Sequence, residues 1–181
     1  MPDVQFYDKT ETLKNGVAVR IRSIKPDDKQ RLWEAFHNLQ SESVYTRFFH
    51  HKKSLTAEEL AAATEVDFDS VVALVVTRAA EGREAIIGGG RYAAYQDGGV
   101  RVAEVAFTVE EDYHGHGIAG LLLRHLAAIA RQAGVAQFRA EVLSDNKAML
   151  RVFARSGLPM KKKTEGGVAH VDLALTDPRP A

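Results

Sequence analysis

The chain of 181 residues predicts a single α/β domain with a mixed sheet. Strand-like segments and segments of helical periodicity alternate along it, which indicates an α/β arrangement. No internal repeat or linker divides the chain, and its length suits one hydrophobic core. The composition, with 45% apolar and 27% charged residues, is typical of a globular protein. We therefore expect one domain over residues 1–181, with residues 1–16 and 175–181 peripheral.

A hairpin is predicted near the start of the chain. The segment from Val4 to Leu13 is weakly strand-like and meets Asn15-Gly16, the pair that best supplies positive φ in a two-residue turn. Val17, Val19 and Ile21 then alternate with polar or small residues, which is the period of a strand.

Three helices are predicted after this hairpin. Pro26-Asp27-Asp28 suits a first turn, because proline fits there and acidic groups favour the positive end of a helix. A second helix is expected to begin within Ser43 to Phe49. Thr56 and Glu59 have the spacing of a capping box, which predicts a third helix through Leu60 and Ala63.

The middle of the chain has the pattern of a sheet. Val71 to Val76 is an unbroken apolar run of the kind found in buried strands. Strands from Ala85 to Tyr95 and from Val100 to Val109 flank Asp97-Gly98-Gly99, which predicts a hairpin turn. Gly88-Gly89-Gly90 inside the first of these two strands indicates a bulge or a close backbone approach.

The last part predicts alternating helices and strands. In order, we expect a helix from Ile118 that ends at Gly134, a strand Phe138 to Leu143, a helix Asp145 to Ser156, and strands around Leu158 to Lys163 and Val168 to Ala174.

Composition excludes several classes of function. The 24 basic and 24 acidic side chains cancel, which argues against a nucleic-acid partner. The absence of cysteine rules out disulfides, a thiolate zinc site and a cysteine acyl-enzyme, and we expect no metal. No apolar run approaches the length of a membrane span, and the first residues do not resemble a signal peptide. We therefore expect a cytoplasmic protein with no membrane partner.

A glycine-rich loop joins a predicted strand to the helix that begins at Ile118. Backbone N–H groups in such a loop, together with the helix dipole, favour an anionic phosphate. Gly115, Gly117 and Gly120 fit the dinucleotide pattern, with Glu141 about twenty residues on, so a nicotinamide enzyme is one alternative. The acidic stretch before Gly115 and the antiparallel hairpin that precedes it argue against a dinucleotide fold.

The loop also resembles the signature of the GNAT acetyltransferase superfamily, Gln/Arg-x-x-Gly-x-Gly/Ala. The matching stretch is His114-Gly115-His116-Gly117-Ile118-Ala119, with histidine at the position usually held by glutamine or arginine. The resemblance covers about Val17 to Ala174 and implies a mixed, mostly antiparallel sheet with helices on both faces. It also implies acetyl-CoA as co-substrate. The implied binding residues are Phe107, Thr108, Val109, His114, Gly115, His116, Gly117, Ile118, Ala119, Gly120 and Asn146.

A narrower likeness is to the acetyltransferase domain of bacterial protein lysine acetyltransferases. It is carried by Ile21 to Asp28, Phe36-His37, Arg47-Phe48-Phe49, Ala103 to Ala106 and Asn146 to Leu150. The likeness implies transfer of an acetyl group to an amine, with a protein lysine favoured and an acyl-CoA synthetase as one possible acceptor protein. A small-molecule amine and a catalytically silent acyl-CoA-binding module remain as alternatives. The oligomeric state is not predicted.

Glu104 is the candidate general base, and the alternative is a strand glutamate that merely faces solvent. Strand alternation sets it on the face opposite Ala103 and Val105, where small apolar neighbours should solvate it poorly and make it a better base than a carboxylate in water. In the relatives that this chain resembles, the matching glutamate is the base. From reference pKa values of about 4.3 and 10.4, direct proton transfer from a lysine to a glutamate is uphill by roughly 8 kcal/mol. A shifted pKa or a relay through water is therefore required.

Two further positions are interpreted through the resemblance. Asn146 matches an asparagine that contacts coenzyme A in relatives, and the alternative is a helix cap. Many relatives have a tyrosine acid seven positions later, where this chain has Phe153, which we expect to be core. The sheet edge at Phe107, Thr108 and Val109 is implied to pair with the pantetheine arm, with a backbone N–H polarising the carbonyl.

Overall fold

The computed structural model describes residues 4–37, 56–109, 115 and 117–175. In this part of the chain the strands are β1 Asp8–Thr12, β2 Ala18–Ser23, β3 Val71–Ala80, β4 Arg83–Asp97, β5 Val100–Val109, β6 Gln137–Leu143, β7 Met160–Glu165 and β8 Val168–Ala174. The α-helices are α1 Lys29–His37, α2 Ala57–Thr64, α3 Ile118–Gln132 and α4 Lys147–Ala154. The helix expected to begin within Ser43 to Phe49 lies outside the described residues.

The strands form one sheet in the order β1-β2-β3-β4-β5-β6-β8-β7. Every neighbouring pair is antiparallel except β5 and β6, which are parallel. The predicted mixed, mostly antiparallel sheet is therefore confirmed. Predicted element ends differ from the observed ones by a few residues: β7, for example, begins at Met160 instead of Leu158.

Helices cover both faces of the sheet, and β3 shows why its apolar run is unbroken. Its residues Val72, Leu74 and Val76 belong to a main core that also contains α3 residues and Phe153 of α4. The alternate residues Ala73 and Val75 belong to a second core, packed against α1 and the segment after α2. A strand that is buried on both faces has no polar side to alternate with.

The three glycines of β4 allow both a bulge and a close approach, as the sequence predicts. Val76 pairs with Gly88 and Thr77 with Ile86, so Ile87 is the extra residue of a β-bulge. A Cβ on Gly88 would lie 2.9 Å from Ile118 Cγ2, and a Cβ on Gly90 would lie 2.8 Å from Phe107 Cδ1. The absence of side chains here lets α3 pack directly on the sheet.

The N-terminal hairpin is less peripheral than the sequence suggests. β1 pairs with β2 at five positions, from Asp8 with Arg22 to Thr12 with Ala18. The residue after β1, Leu13, is 3% exposed and belongs to the main core. Residues 8–13 are therefore part of the sheet and core.

A buried ion-pair network joins β2, α1 and β4. Arg22 and Asp28 are 2% and 0% exposed, and the Arg22 guanidinium donates two hydrogen bonds of 2.8 Å to the Asp28 carboxylate. Arg22 also donates to Glu84 at 2.9 Å. Pro26 to Asp28 forms a 3-10 turn that leads into α1, as predicted, but Asp28 serves mainly as the partner of Arg22.

In the described residues no helix is long and apolar enough to cross a membrane.

Candidate active site

A cleft opens where β5 and β6 diverge. The two strands pair only over three positions, Val102 with Gln137, Ala103 with Phe138 and Glu104 with Arg139. β5 stays paired with β4 along its whole length, and β6 stays paired with β8. Beyond Glu104, the edge of β5 that faces β6 therefore has no strand partner in the described part of the chain through Thr108. We call the space between residues 105–109 and 140–143 the cleft.

Glu104 lies at the closed end of this cleft and its side chain is exposed. The expectation that apolar neighbours would desolvate it is therefore wrong, because Ala106 and Thr108 on the same face are only half-buried and leave Glu104 exposed. Its cross-strand neighbour Arg139 hydrogen-bonds to Tyr95 Oη at 3.0 Å and pairs with Asp97 at 2.7 Å. Within the described residues Glu104 has no hydrogen bond or ion pair, so its carboxylate is available to accept a proton.

Beyond Glu104, the wall of the cleft presents mainly backbone N–H and C=O groups to a ligand, and few side chains. Phe107 and Val109 point to the other face and pack against the main core, where the Phe107 ring lies 6.2 Å from the Phe153 ring. Thr108 shares the Glu104 face. The six residues from Glu104 to Val109 span about 17 Å of extended chain. An extended ligand could therefore pair with this edge over most of its length.

The amino terminus of α3 lies at the far end of the same strand. Gly88, which pairs with Val109, directly underlies Ile118, so the helix starts beside the end of β5. Gly115 and Gly117 have φ values of 85° and 88°, a region that only glycine adopts readily. Gly117 is the N-cap and forms no side-chain cap hydrogen bond, and the first turn holds no acidic residue.

These features make the start of α3 a candidate anion site. The first N–H groups of a helix, here those of Ile118, Ala119 and Gly120, have no acceptor within the helix. Ile118 is buried and Gly120 is exposed, with open space where its Cβ would be. The unsatisfied donors and the helix dipole both favour a phosphate. His114 and His116, which the sequence also nominates, lie outside the described residues.

Asn146 is a helix cap in the structure. Its side-chain Oδ1 accepts a hydrogen bond of 3.1 Å from the backbone N–H of Met149, at the first turn of α4. The side-chain amide nitrogen of Asn146 makes no hydrogen bond within the described residues. Capping by the oxygen therefore leaves this nitrogen available to contact a ligand. Phe153 is 1% exposed and belongs to the main core, as predicted.

Glu104, the backbone of residues 107–109, Gly115, Gly117 and the start of α3 lie one after another along the cleft.

The dinucleotide alternative loses its structural basis, because the strand before the loop is antiparallel to β4 and the sheet is not doubly wound. Lys14, beside the Asn15-Gly16 turn, packs over Gly117 at the start of α3, a contact that no sequence pattern predicts. The Asn15-Gly16 turn was predicted, but local pattern carries no signal for the element on which a turn will pack.

An open strand edge that leads to a helix amino terminus is the site expected of the acyltransferase class that the sequence resembles. The chain belongs to the acetyltransferase (GNAT) family, whose sequence profile matches residues 31–158. The family that the glycine loop resembles is therefore confirmed.

Named relatives support the same assignment. The chain is 32% identical over 169 residues to Acetyltransferase Pat of Mycolicibacterium smegmatis, covering 93% of this chain and 50% of Pat. It is 30% identical over 139 residues to Acetyltransferase PA5475 of Pseudomonas aeruginosa, covering 77% and 74%. The chain thus spans half the length of Pat and about three quarters of PA5475. The crystal structure of the GNAT domain of S. lividans PAT is similar, with 34% identity, a TM-score of 0.82 and coverage of 92% and 96%.

Proposed function

We propose that this protein moves the acetyl group of acetyl-CoA directly to an amine, with a protein lysine as the favoured acceptor and Glu104 as general base. The observation that carries the proposal is the cleft, which begins at an exposed carboxylate without a partner among the described residues and ends at the amino terminus of α3. The family and the similarity to Pat support the class of reaction.

The residues present fit acetyl-CoA, which would supply the acetyl thioester. The N–H groups of Ile118, Ala119 and Gly120 would bind its pyrophosphate, together with Gly115, Gly117, His114 and His116 in the loop. The backbone of Phe107, Thr108 and Val109 would pair with the pantetheine arm and polarise the acetyl carbonyl. Asn146 would contact the arm through its amide nitrogen while its oxygen caps α4.

Glu104 would take the proton from the acceptor ammonium. Because this carboxylate is exposed, a water molecule can carry the proton between the two groups when they are not in contact. The relay does not change the free-energy difference of roughly 8 kcal/mol given by the reference pKa values, so consumption of the free amine in the acetyl transfer has to draw the proton transfer forward. Arg139 does not neutralise Glu104, since it is paired with Asp97 and Tyr95. Among the described residues, therefore, no cation pairs with this carboxylate in place of the incoming amine.

Direct transfer suits the side chains that are available. The chain has no cysteine to form a thioester intermediate. Phe153, at the position of the tyrosine acid of relatives, has no hydroxyl to donate a proton to the leaving thiolate. A thiol with a pKa near 8.5 is a tolerable leaving group without one.

The class of ligand is tested by thermal unfolding with acetyl-CoA, free CoA and NAD. We expect acetyl-CoA and CoA to stabilise the protein, by about 2.7 kcal/mol at a hundredfold excess over Kd, and NAD to have no effect. Stabilisation by NAD alone would contradict the proposal.

The acceptor is tested by thiol release from acetyl-CoA with a lysine-containing protein, such as an acyl-CoA synthetase, and with free amines. We expect release with the protein and an added acetyl mass on one of its lysines. Release only with a free amine would contradict the choice of acceptor.

A silent acyl-CoA-binding module is the second candidate, and Phe153 is the observation in its favour. That function predicts stabilisation by coenzyme A without thiol release on any amine. The two experiments together separate it from an enzyme.

A further inference from the structure

The tip of the N-terminal hairpin is held in one conformation. Gly16 has a φ of 87°, and its N–H donates to the Leu13 carbonyl at 2.9 Å. The Val17 N–H donates to Asn15 Oδ1 at 3.1 Å, and the Leu13 N–H donates to the Val17 carbonyl at 2.9 Å. Lys14, within this turn, therefore projects from a fixed backbone.

Three polar contacts dock this hairpin on α3. The Tyr7 hydroxyl donates to His125 Nδ1 at 2.5 Å, and His125 Nε2–H donates to the Glu11 carboxylate at 2.8 Å. Glu11 also accepts from Arg124 at 2.8 Å. Since His125 and Arg124 belong to α3, the hairpin keeps a fixed position relative to the helix whose amino terminus is the candidate anion site.

Lys14 crosses directly over the N-cap of α3. A Cβ built on Gly117 would lie 3.3 Å from Lys14 Cε and 3.7 Å from both its Cδ and its Cγ. The aliphatic part of the Lys14 side chain thus packs against Gly117, next to the position that a Cβ on this residue would take. The ammonium is one bond beyond Cε and therefore lies near the N-cap of α3.

This arrangement sets two positive groups side by side. The amino terminus of a helix carries a partial positive charge, and a cation is unfavourable next to it. The first turn of α3 holds no acidic residue, and Lys14 has no ion pair within the described residues. An anion bound between the Lys14 ammonium and the amino terminus of α3 would be attracted by both and would offset the repulsion between them.

We propose that Lys14 binds the pyrophosphate of acetyl-CoA from the side opposite the α3 amides, as a cofactor-binding residue contributed by the N-terminal hairpin. The proposal rests on the proposed function. Lysine suits this role because its ammonium is a compact charge that binds phosphate without a fixed orientation.

The test compares Kd for acetyl-CoA in wild type, Lys14→Ala and Lys14→Arg. We expect Lys14→Ala to raise Kd about tenfold, the effect of losing one charged hydrogen bond, and Lys14→Arg to restore most of the affinity. Lys162→Ala, which removes an exposed lysine on the opposite edge strand, is the matched control and should leave Kd unchanged.

Shortened ligands identify the phosphate. The loss in Lys14→Ala should persist with the 3′-dephospho form of acetyl-CoA and vanish with acetyl-pantetheine, measured as KM in thiol release. Equal Kd for wild type and Lys14→Ala would overturn the assignment, as would a loss that disappears without the 3′-phosphate or remains with acetyl-pantetheine. If wild type bound no acetyl-CoA, the proposed function would fall as well.

Discussion

Charges at individual residues show two contrasting uses of a carboxylate in this protein. Asp28 is buried and held by Arg22, whereas Glu104 is exposed and has no hydrogen bond or ion pair among the described residues. A buried carboxylate that has lost its partner is costly, so Asp28 serves structure. A solvent-exposed carboxylate at the closed end of a cleft remains accessible to water and to an incoming substrate.

Loss of the Asp28 carboxylate should leave the buried Arg22 guanidinium without its main partner. Asp28→Ala should lower the free energy of unfolding by about 3–5 kcal/mol, because the guanidinium is left buried with one of its two carboxylates missing. Asp27→Ala, the exposed neighbour, is the control and should change it by less than about 0.5 kcal/mol. Urea unfolding checks both, and equal losses for the two variants would show that the network adds nothing.

The same network predicts loss of stability in acid. The hydrogen bonds from Arg22 lower the pKa of Glu84 to about 2. Burial opposes ionisation of Asp28, but hydrogen bonds from Arg22 and from the Lys25 N–H outweigh it and hold the pKa of Asp28 below its usual value. Groups with a lowered pKa stabilise the fold above their unfolded pKa, which for glutamate is 4.5, and stop doing so as the pH falls towards 2.

We therefore expect the urea midpoint to be steady from pH 7 to 5 and to fall between pH 4.5 and 2. Glu84→Gln should show a smaller fall over that window. A midpoint that does not change down to pH 3 would contradict this role of the carboxylates.

At the level of elements, the glycines of β4 fix how closely α3 and β5 approach. A Cβ on Gly90 would meet Phe107 at 2.8 Å and Leu126 at 3.1 Å; Leu126 belongs to the main core and Phe107 packs against it. A Cβ on Gly89, one residue away and on the opposite face, would meet its nearest neighbour, the Leu74 carbonyl oxygen, at 3.4 Å, an ordinary contact. The two glycines lie on the same strand, but only Gly89 has room for a methyl group.

Gly90→Ala should accordingly destabilise the fold by about 1–3 kcal/mol through overpacking. Gly89→Ala should be neutral or slightly stabilising, because alanine loses less entropy than glycine in a strand. Thermal unfolding of the pair tests this expectation. If both substitutions were neutral, the close packing of α3 on β4 would not be needed for stability.

Most elements could be predicted from local pattern, and the reasons are visible in the structure. The capping box of Thr56 and Glu59 forms with both hydrogen bonds at 3.1 Å, and the apolar run of β3 is buried on both faces. The exposure of Glu104 could not be predicted, because alternation gives the face of a side chain but not what covers that face. The ion pair of Arg22 and Asp28 could not be predicted either, because local pattern assigns Arg22 to a strand and Asp28 to a first helical turn without relating the two.

For the whole molecule, the decisive feature is that β5 and β6 separate after three paired residues. Strand pattern predicts which segments form the sheet, but the end of a pairing depends on packing from both faces and leaves no local signal. The separation exposes a strand edge between a carboxylate and a helix amino terminus. The family assignment and the cleft support the same chemistry by independent routes.

The most direct test of this account is the turnover number of Glu104→Gln, measured across pH with Kd for acetyl-CoA determined alongside. Glu141→Gln, an exposed glutamate on β6 beside the cleft, is the matched control. We predict that Glu104→Gln lowers kcat by about 100-fold or more and leaves Kd unchanged, since general base catalysis is lost while the binding residues remain. Turnover equal to that of wild type across the pH range would contradict the assignment of Glu104 as the base.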